Sequence, residues 1–236
     1  MKKATNQELI VFPGKTEVYS YPDLRQIHRL TCAGNKTARA GDLSALAKQH
    51  QGNRMYLLRH GQSQFNASYT TTRIDPNIPD PELTDEGRDQ AKVAGEELAD
   101  KKVITRIIAS PYTRALQTAQ IVADILALPI EIEPLVREHA FFSCDIGSPA
   151  SKLSRQWPHI DFAHLNEHWW PDLDETEQQV KQRCHLFQQK MIALEDWSKT
   201  LVVSHWAFIR GLTGHEIGNG GLISIDLPGL VIHTES

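Results

Sequence analysis

The chain has 236 residues, a formal net charge of −4 and 40% hydrophobic residues. That length supports one sizeable core with an appended segment. The mild acidity offers no general electrostatic attraction to nucleic acid or to a membrane surface, so neither is an expected partner.

Cys32, Cys144 and Cys184 are odd in number, far apart and without CxxC spacing, so they read as free thiols of a reducing compartment. The first apolar run, residues 8–12, is too short for a signal peptide, and no run approaches membrane-spanning length. The expected location is cytoplasmic. Residues 1–53 carry no visible chemistry. They read as an N-terminal extension with a short strand at 8–12 and a short helix at 42–50 capped by Asp42.

From residue 54 onward the pattern is that of one α/β domain reaching Ser236. The apolar run Met55-Tyr56-Leu57-Leu58 reads as a buried strand that ends in Arg59-His60-Gly61. The glycine is expected to let the backbone turn sharply there. Residues 67–83 read as a loop rich in Thr, Asp and Pro. Thr84 caps a helix whose small face is Ala91, Ala94, Gly95 and Leu98. A second strand covers 106–110, and Pro111 opens the next helix, with Ala115, Leu116, Ala119, Val122, Ala123 and Leu126 as its buried stripe. Residues 130–133 alternate as a short third strand, placing Glu131 and Glu133 toward solvent.

Residues 139–174 lose regularity and carry Trp157, Trp169 and Trp170, as a lid or site wall does. A helix follows from about 175 to 197, then a strand at 201–204 that delivers His205, then a helix. Two strands, 222–227 and 230–234, meet at Pro228-Gly229. Strands alternating with helices imply right-handed crossovers and a mostly parallel sheet with helices on both faces, a three-layer sandwich.

Three strands of parallel type end in polar groups: Arg59 and His60, Ser110 with Arg114 one turn on, and Ser204 and His205. In a parallel sheet these ends share an edge, where ligands bind. Two arginines and two histidines in one volume call for an anionic occupant, and a dianionic phosphate matches the guanidinium fork. Glu138, just past the third strand, is the best-placed carboxylate for moving a proton; Asp145 is a weaker rival, and a salt bridge to Arg137 is the plain structural alternative for Glu138. There is no HExxH and no paired His/Cys spacing, so neither a metal nor a cofactor is expected.

Residues 58–66, Leu-Arg-His-Gly-Gln-Ser-Gln-Phe-Asn, resemble the R-H-G-x-S-x-x-N opening of the histidine phosphatase superfamily, in the branch that includes cofactor-dependent phosphoglycerate mutases. Residues 80–91 are similar to its D-x-x-L-T-x-x-G-x-x-Q-A segment, and residues 110–119 to S-P-x-x-R-A-x-Q-T-A. The resemblance implies a phosphoglycerate mutase-like fold and a phosphohistidine mechanism. Under it His60 is the nucleophile, while Arg59, Arg114 and His205 hold the phosphoryl oxygens. Glu138 protonates the leaving oxygen, Asn66 lines the phosphate pocket, and Ser63 and Thr72 are weaker matches nearby. Many relatives have glycine beside the second histidine, whereas here Ser204 and Trp206 flank it.

Residues 139–174 carry two basic and five acidic side chains, which argues against a lid built for a second phosphate. The expected activity is therefore a metal-independent phosphomonoesterase acting on a small phosphorylated metabolite. The alternatives are a phosphoglycerate mutase-like isomerase or a phosphate-binding scaffold without catalysis.

Overall fold

The computed structural model describes residues 54–227 and 231–234. The strand and helix expected within residues 1–53 lie outside the described residues, as does Cys32.

Among the described residues, six strands form one sheet. They are β1 (Met55–Arg59), β2 (Arg106–Ala109), β3 (Ile130–Ile132), β4 (Thr200–Ser204), β5 (Leu222–Asp226) and β6 (Val231–Thr234), arranged in the order β3-β2-β4-β1-β5-β6. The first four run parallel, while β5 and β6 join the far edge antiparallel. The helices are α1 (Gln64–Thr72), α2 (Asp85–Lys101), α3 (Thr113–Leu126), α4 (Ala150–Gln156), α5 (Glu177–Ile192) and α6 (Trp206–Thr213).

Strand alternation explains the layering. Tyr56 and Leu58 of β1, with Leu201 and Val203 of β4, face one way and pack with Leu98 of α2 and Leu116 and Ala119 of α3. Met55, Leu57 and Val202 face the other way, onto Cys184 and Phe187 of α5 and Phe208 and Leu212 of α6. The sheet is thus apolar on both faces and covered on both. No helix among the described residues is long and apolar enough to cross a membrane.

Four expectations need correction. Residues 64–72 form a helix rather than entering a loop. Its signal is a cap, not a stripe: Ser63 Oγ accepts from Asn66 N, while the Asn66 side chain returns to the Ser63 amide, and Phe65 alone is buried. Pro111 precedes α3 instead of opening it; Tyr112 is the N-cap, and the Asp80 carboxylate accepts from the Thr113 amide and hydroxyl. Glu133 is buried, accepting from the Leu135 amide and pairing with Lys190. The tryptophans of 139–174 do not form the wall expected of them, which falls instead to Phe141 and Phe142 of the same segment. Trp157 and Trp169 pack against the first core, and Trp169 Nε1 donates to the Ser148 carbonyl.

The role of Gly61 also differs from the expected sharp turn, since its φ is not in the left-handed region. A Cβ there would sit 2.1 Å from the Gly87 carbonyl oxygen, and one on Gly87 would sit 2.1 Å from that of Gln62. The two glycines let the loop after β1 lie directly on the first turn of α2. Both obstacles are backbone, so no side chain can yield. Gly61→Ala should therefore lower stability by about 2–3 kcal/mol and the melting temperature by several degrees. A thermal melt within about one degree of the parent would contradict this close-contact account.

Candidate active site

The parallel register places the site. Arg59 stands opposite Ser204, and Ala109 opposite Val203, so the residues that follow each strand leave the sheet at one edge. The backbone bonds from His60 N to Ser204 O (2.9 Å) and from Ser110 N to Val203 O (3.1 Å) carry the ladder one residue further. Beyond that edge lies a cleft of about 610 Å3 lined by Arg59, His60, Ser63, Asn66, Arg114 and Glu138, among others. His205 is fully buried behind this lining, its ring centroid 5.0 Å from that of His60. Thr72 falls outside: it is exposed, and its hydroxyl donates to the Ser68 carbonyl in the last turn of α1.

His60 Nδ1 lies 2.7 Å from the Gly61 carbonyl oxygen. A carbonyl only accepts, so this contact puts the proton on Nδ1 and leaves Nε2 as the lone-pair nitrogen. Burial, then the Arg114 and Arg59 guanidiniums, hold the imidazole pKa well below 6.5. The ring is neutral at neutral pH. His205 is held low in the same way, by burial and by Arg114. Its Nε2 lies 2.7 Å from Ser110 Oγ, while Nδ1 is buried without a partner.

Arg59 donates from Nη1 to the Ile217 carbonyl at 2.8 Å, and its Nε is a buried donor without a partner. Each unmet donor costs about 1–3 kcal/mol. Arg114 donates to the Cys144 carbonyl (2.7 Å) and to Asp145 Oδ1 (3.0 Å) and lies 4.5 Å from the Tyr112 ring centroid. The two arginines and two histidines that the sequence brings together thus carry less charge than their number allows: both imidazoles are neutral, and Asp145 balances one guanidinium. Asp145 is fully committed, since its other oxygen accepts from the Phe141 and Phe142 amides.

Glu138 differs from Asp145. Both backbone amides that reach it, His139 N and Ala207 N at 2.9 Å, go to Oε1. Burial first, and then the Asp145 charge, raise its pKa above the ordinary carboxylate range. It is not the surface partner of Arg137. Arg137 instead donates to Glu175 at 2.7 Å, as does the Nε of Arg183 at 2.9 Å, and the Arg183 guanidinium also reaches the carbonyls of Leu135, Arg137 and Glu138. This buried clamp fixes the backbone that carries Glu138.

Sequence reasoning missed Asn219, whose Nδ2 donates to the His60 carbonyl (3.2 Å) and to Asn66 Oδ1 (3.1 Å). Its one signal was the Gly218-Asn219-Gly220-Gly221 loop. Asn66 Oδ1 also accepts from Ser63, so the amide NH2 of Asn66 is left for a ligand. Burial pushes both described thiols up, Cys184 to about 12, so neither Cys144 nor Cys184 is a nucleophile near neutral pH.

Comparison with known proteins decides the family. The histidine phosphatase superfamily (branch 1) matches residues 55–221. The chain belongs to the histidine phosphatase superfamily. Relatives in this family include a probable phosphatase of Schizosaccharomyces pombe, 31% identical over 48% of this chain and 53% of that protein, so the match spans about half of its length. A glucosyl-3-phosphoglycerate phosphatase of Mycolicibacterium vanbaalenii is 27% identical over 70% of this chain and 74% of its own. A probable phosphoglycerate mutase of Enterobacter is 32% identical over 64% and 68%. Among solved structures, an ecdysone phosphate phosphatase from Bombyx mori with tungstate shares the fold, with a TM-score of 0.57 at 17% identity over 78% of this chain and 92% of that one. The phosphoglycerate mutase-like α/β fold expected from the sequence is therefore the fold observed. The motif segments fall around the strand-end His60, at the start of α2 and at the start of α3.

Proposed function

We propose that this protein is a cytoplasmic phosphomonoesterase that hydrolyses a small phosphorylated metabolite through a phosphohistidine on His60. The observation that carries the proposal is the His60 imidazole. It is neutral, has Nδ1 committed to the Gly61 carbonyl, and shares one cleft with Arg59, Arg114 and Glu138. The Nε2 lone pair attacks phosphorus, the ester P–O bond breaks, and the leaving oxygen takes the proton held on Glu138. Water then attacks the phosphohistidine, giving a proton to the Glu138 carboxylate. The P–N bond breaks, and inorganic phosphate leaves with His60 neutral again.

Charge developing on the phosphoryl oxygens is met by Arg59 and Arg114. A Ser110 hydroxyl donating to His205 Nε2 puts the His205 proton on Nδ1, so Arg59 Nε and His205 Nδ1, both without a partner, suit the same anion. Asn66 and Ser63 line the same pocket. Because guanidiniums supply the positive charge, the reaction is read as metal-independent.

Hydrolysis is favoured over mutase chemistry because no Lys or Arg of residues 139–174 lines the cleft, and the one cation among the described lining residues beyond Arg59 and Arg114 is Arg73, which lies beside the Tyr69 ring. The test is phosphate release from a panel of phosphomonoesters. Turnover should survive EDTA and be inhibited by vanadate. Interconversion of 3- and 2-phosphoglycerate in the presence of the bisphosphate, without phosphate release, would replace this reading with the mutase one.

A further inference from the structure

The inner and outer parts of the cleft differ in kind. The inner part holds the charged and amide groups just described. The outer wall is built of rings: Phe65 and Tyr69 on α1 lie nearly parallel (13°) with centroids 5.3 Å apart, and Phe142 packs against both at 5.5 and 5.0 Å. Phe141 meets Phe142 edge-on at 5.0 Å. Exposure rises along this ladder, from Phe65 at 5% to Phe141 at 62%. The last ring therefore stands in the cleft with most of its surface in water.

From this wall we infer that the phosphoesters preferred by the site have an alcohol half carrying a flat aromatic ring, bound against Phe141, Phe142 and Tyr69. This rests on the phosphomonoesterase reading and adds the substrate class to it. A hexose seated there would give up water from several hydroxyls, and the wall returns few hydrogen bonds for them. The remaining polar groups near the wall are Thr70, His139 and Arg73. Arg73 lies with its guanidinium carbon 5.9 Å from the Tyr69 ring centroid, so a cation sits beside the rings and favours an electron-rich π face. Edge-to-face and offset stacking add to plain area burial, and here the covered partner is a ring already held in place by its neighbours. A cleft of about 610 Å3 has room for a bicyclic group beyond the phosphate.

The experiment compares three primary-alkyl esters, so that leaving-group acidity does not decide the outcome: 2-naphthylmethyl phosphate, cyclohexylmethyl phosphate and glucose 6-phosphate. The full-length protein should show kcat/KM for the naphthylmethyl ester at least about tenfold above both others. Phe141→Ala, at an exposed position, should bring the naphthylmethyl-to-cyclohexylmethyl ratio toward one, chiefly through KM. Equal or better turnover of glucose 6-phosphate, or a Phe141→Ala loss shared alike by all three esters, overturns the aromatic assignment and leaves the phosphatase reading standing. No phosphate release from any ester, in this trio or in the wider panel, overturns both.

Discussion

His60→Ala should drop phosphate release to the assay floor, about five orders of magnitude below the parent enzyme. Among the described residues, nothing else in the cleft can take over the attack. His205 has Nε2 at Ser110 and, with that hydroxyl donating, a proton on Nδ1, so it offers the phosphate no lone pair; burial raises the Cys144 thiol, and Asp145 is spent on Arg114 and two amides. Loss of turnover alone is open to a second explanation, because removing a buried ring leaves a cavity between two guanidiniums. His60→Gln, which keeps much of the volume, should be equally inactive while melting close to the parent. Rapid quench with phosphorus-labelled substrate should trap acid-labile label on the parent and none on either variant. Residual turnover above a few per cent, or label retained without His60, would falsify the assignment of this imidazole as nucleophile.

Where the reading from sequence succeeded, it did so because parallel strands bring their carboxyl ends to one edge. Three apolar runs ending in Arg59-His60, Ser110 and Ser204-His205 could only deliver those groups together. The motifs gave the residues but not their reason. Gln90 Oε1 accepts from the Gln62 amide, Gln117 Oε1 from the Leu83 amide, and Thr118 Oγ1 from the Gly61 amide, so each segment is tied to another by a single side chain. Such bonds join residues 28 to 57 positions apart and leave no periodicity to read. The Arg114–Asp145 pair and the Glu175–Arg183 clamp were hidden for the same reason. A buried ion pair and a surface one look alike in sequence, and Glu133, read as solvent-facing, shows the converse error. Helix α1 escaped because its stability lies in a cap and one buried phenylalanine rather than an apolar stripe. The α1 half of the aromatic wall was missed with it, since Phe65 and Tyr69 face the cleft only once those residues are helical, whereas residues 139–174, read as a site wall, do line the cleft through Phe141 and Phe142.

The second large effect belongs to Glu138→Gln. The amide keeps the shape and can still accept from the His139 and Ala207 amides through its oxygen, so the backbone held by Arg183 has no cause to move. What it loses is the transferable proton. For an alkyl phosphate, whose leaving oxygen is strongly basic, kcat should fall about 10²- to 10⁴-fold. For 4-nitrophenyl phosphate, whose leaving group departs without protonation, the first step should be nearly unaffected and the missing base should slow hydrolysis of the phosphohistidine. The variant should then release one burst of nitrophenol per active site before a slow phase.

The pH profile separates this from a merely structural defect. Burial and Asp145 raise the Glu138 pKa, so its acid form persists above the usual carboxylate range, and the alkaline limb of kcat/KM for alkyl esters reports its deprotonation. Burial and the two arginines lower the His60 pKa, so the limb due to its protonation lies on the acid side of 6.5. Glu138→Gln should erase the alkaline limb and leave the acid one in place. A parallel drop for both ester classes, with both limbs retained, would mean that Glu138 only shapes the pocket and that the proton comes from elsewhere.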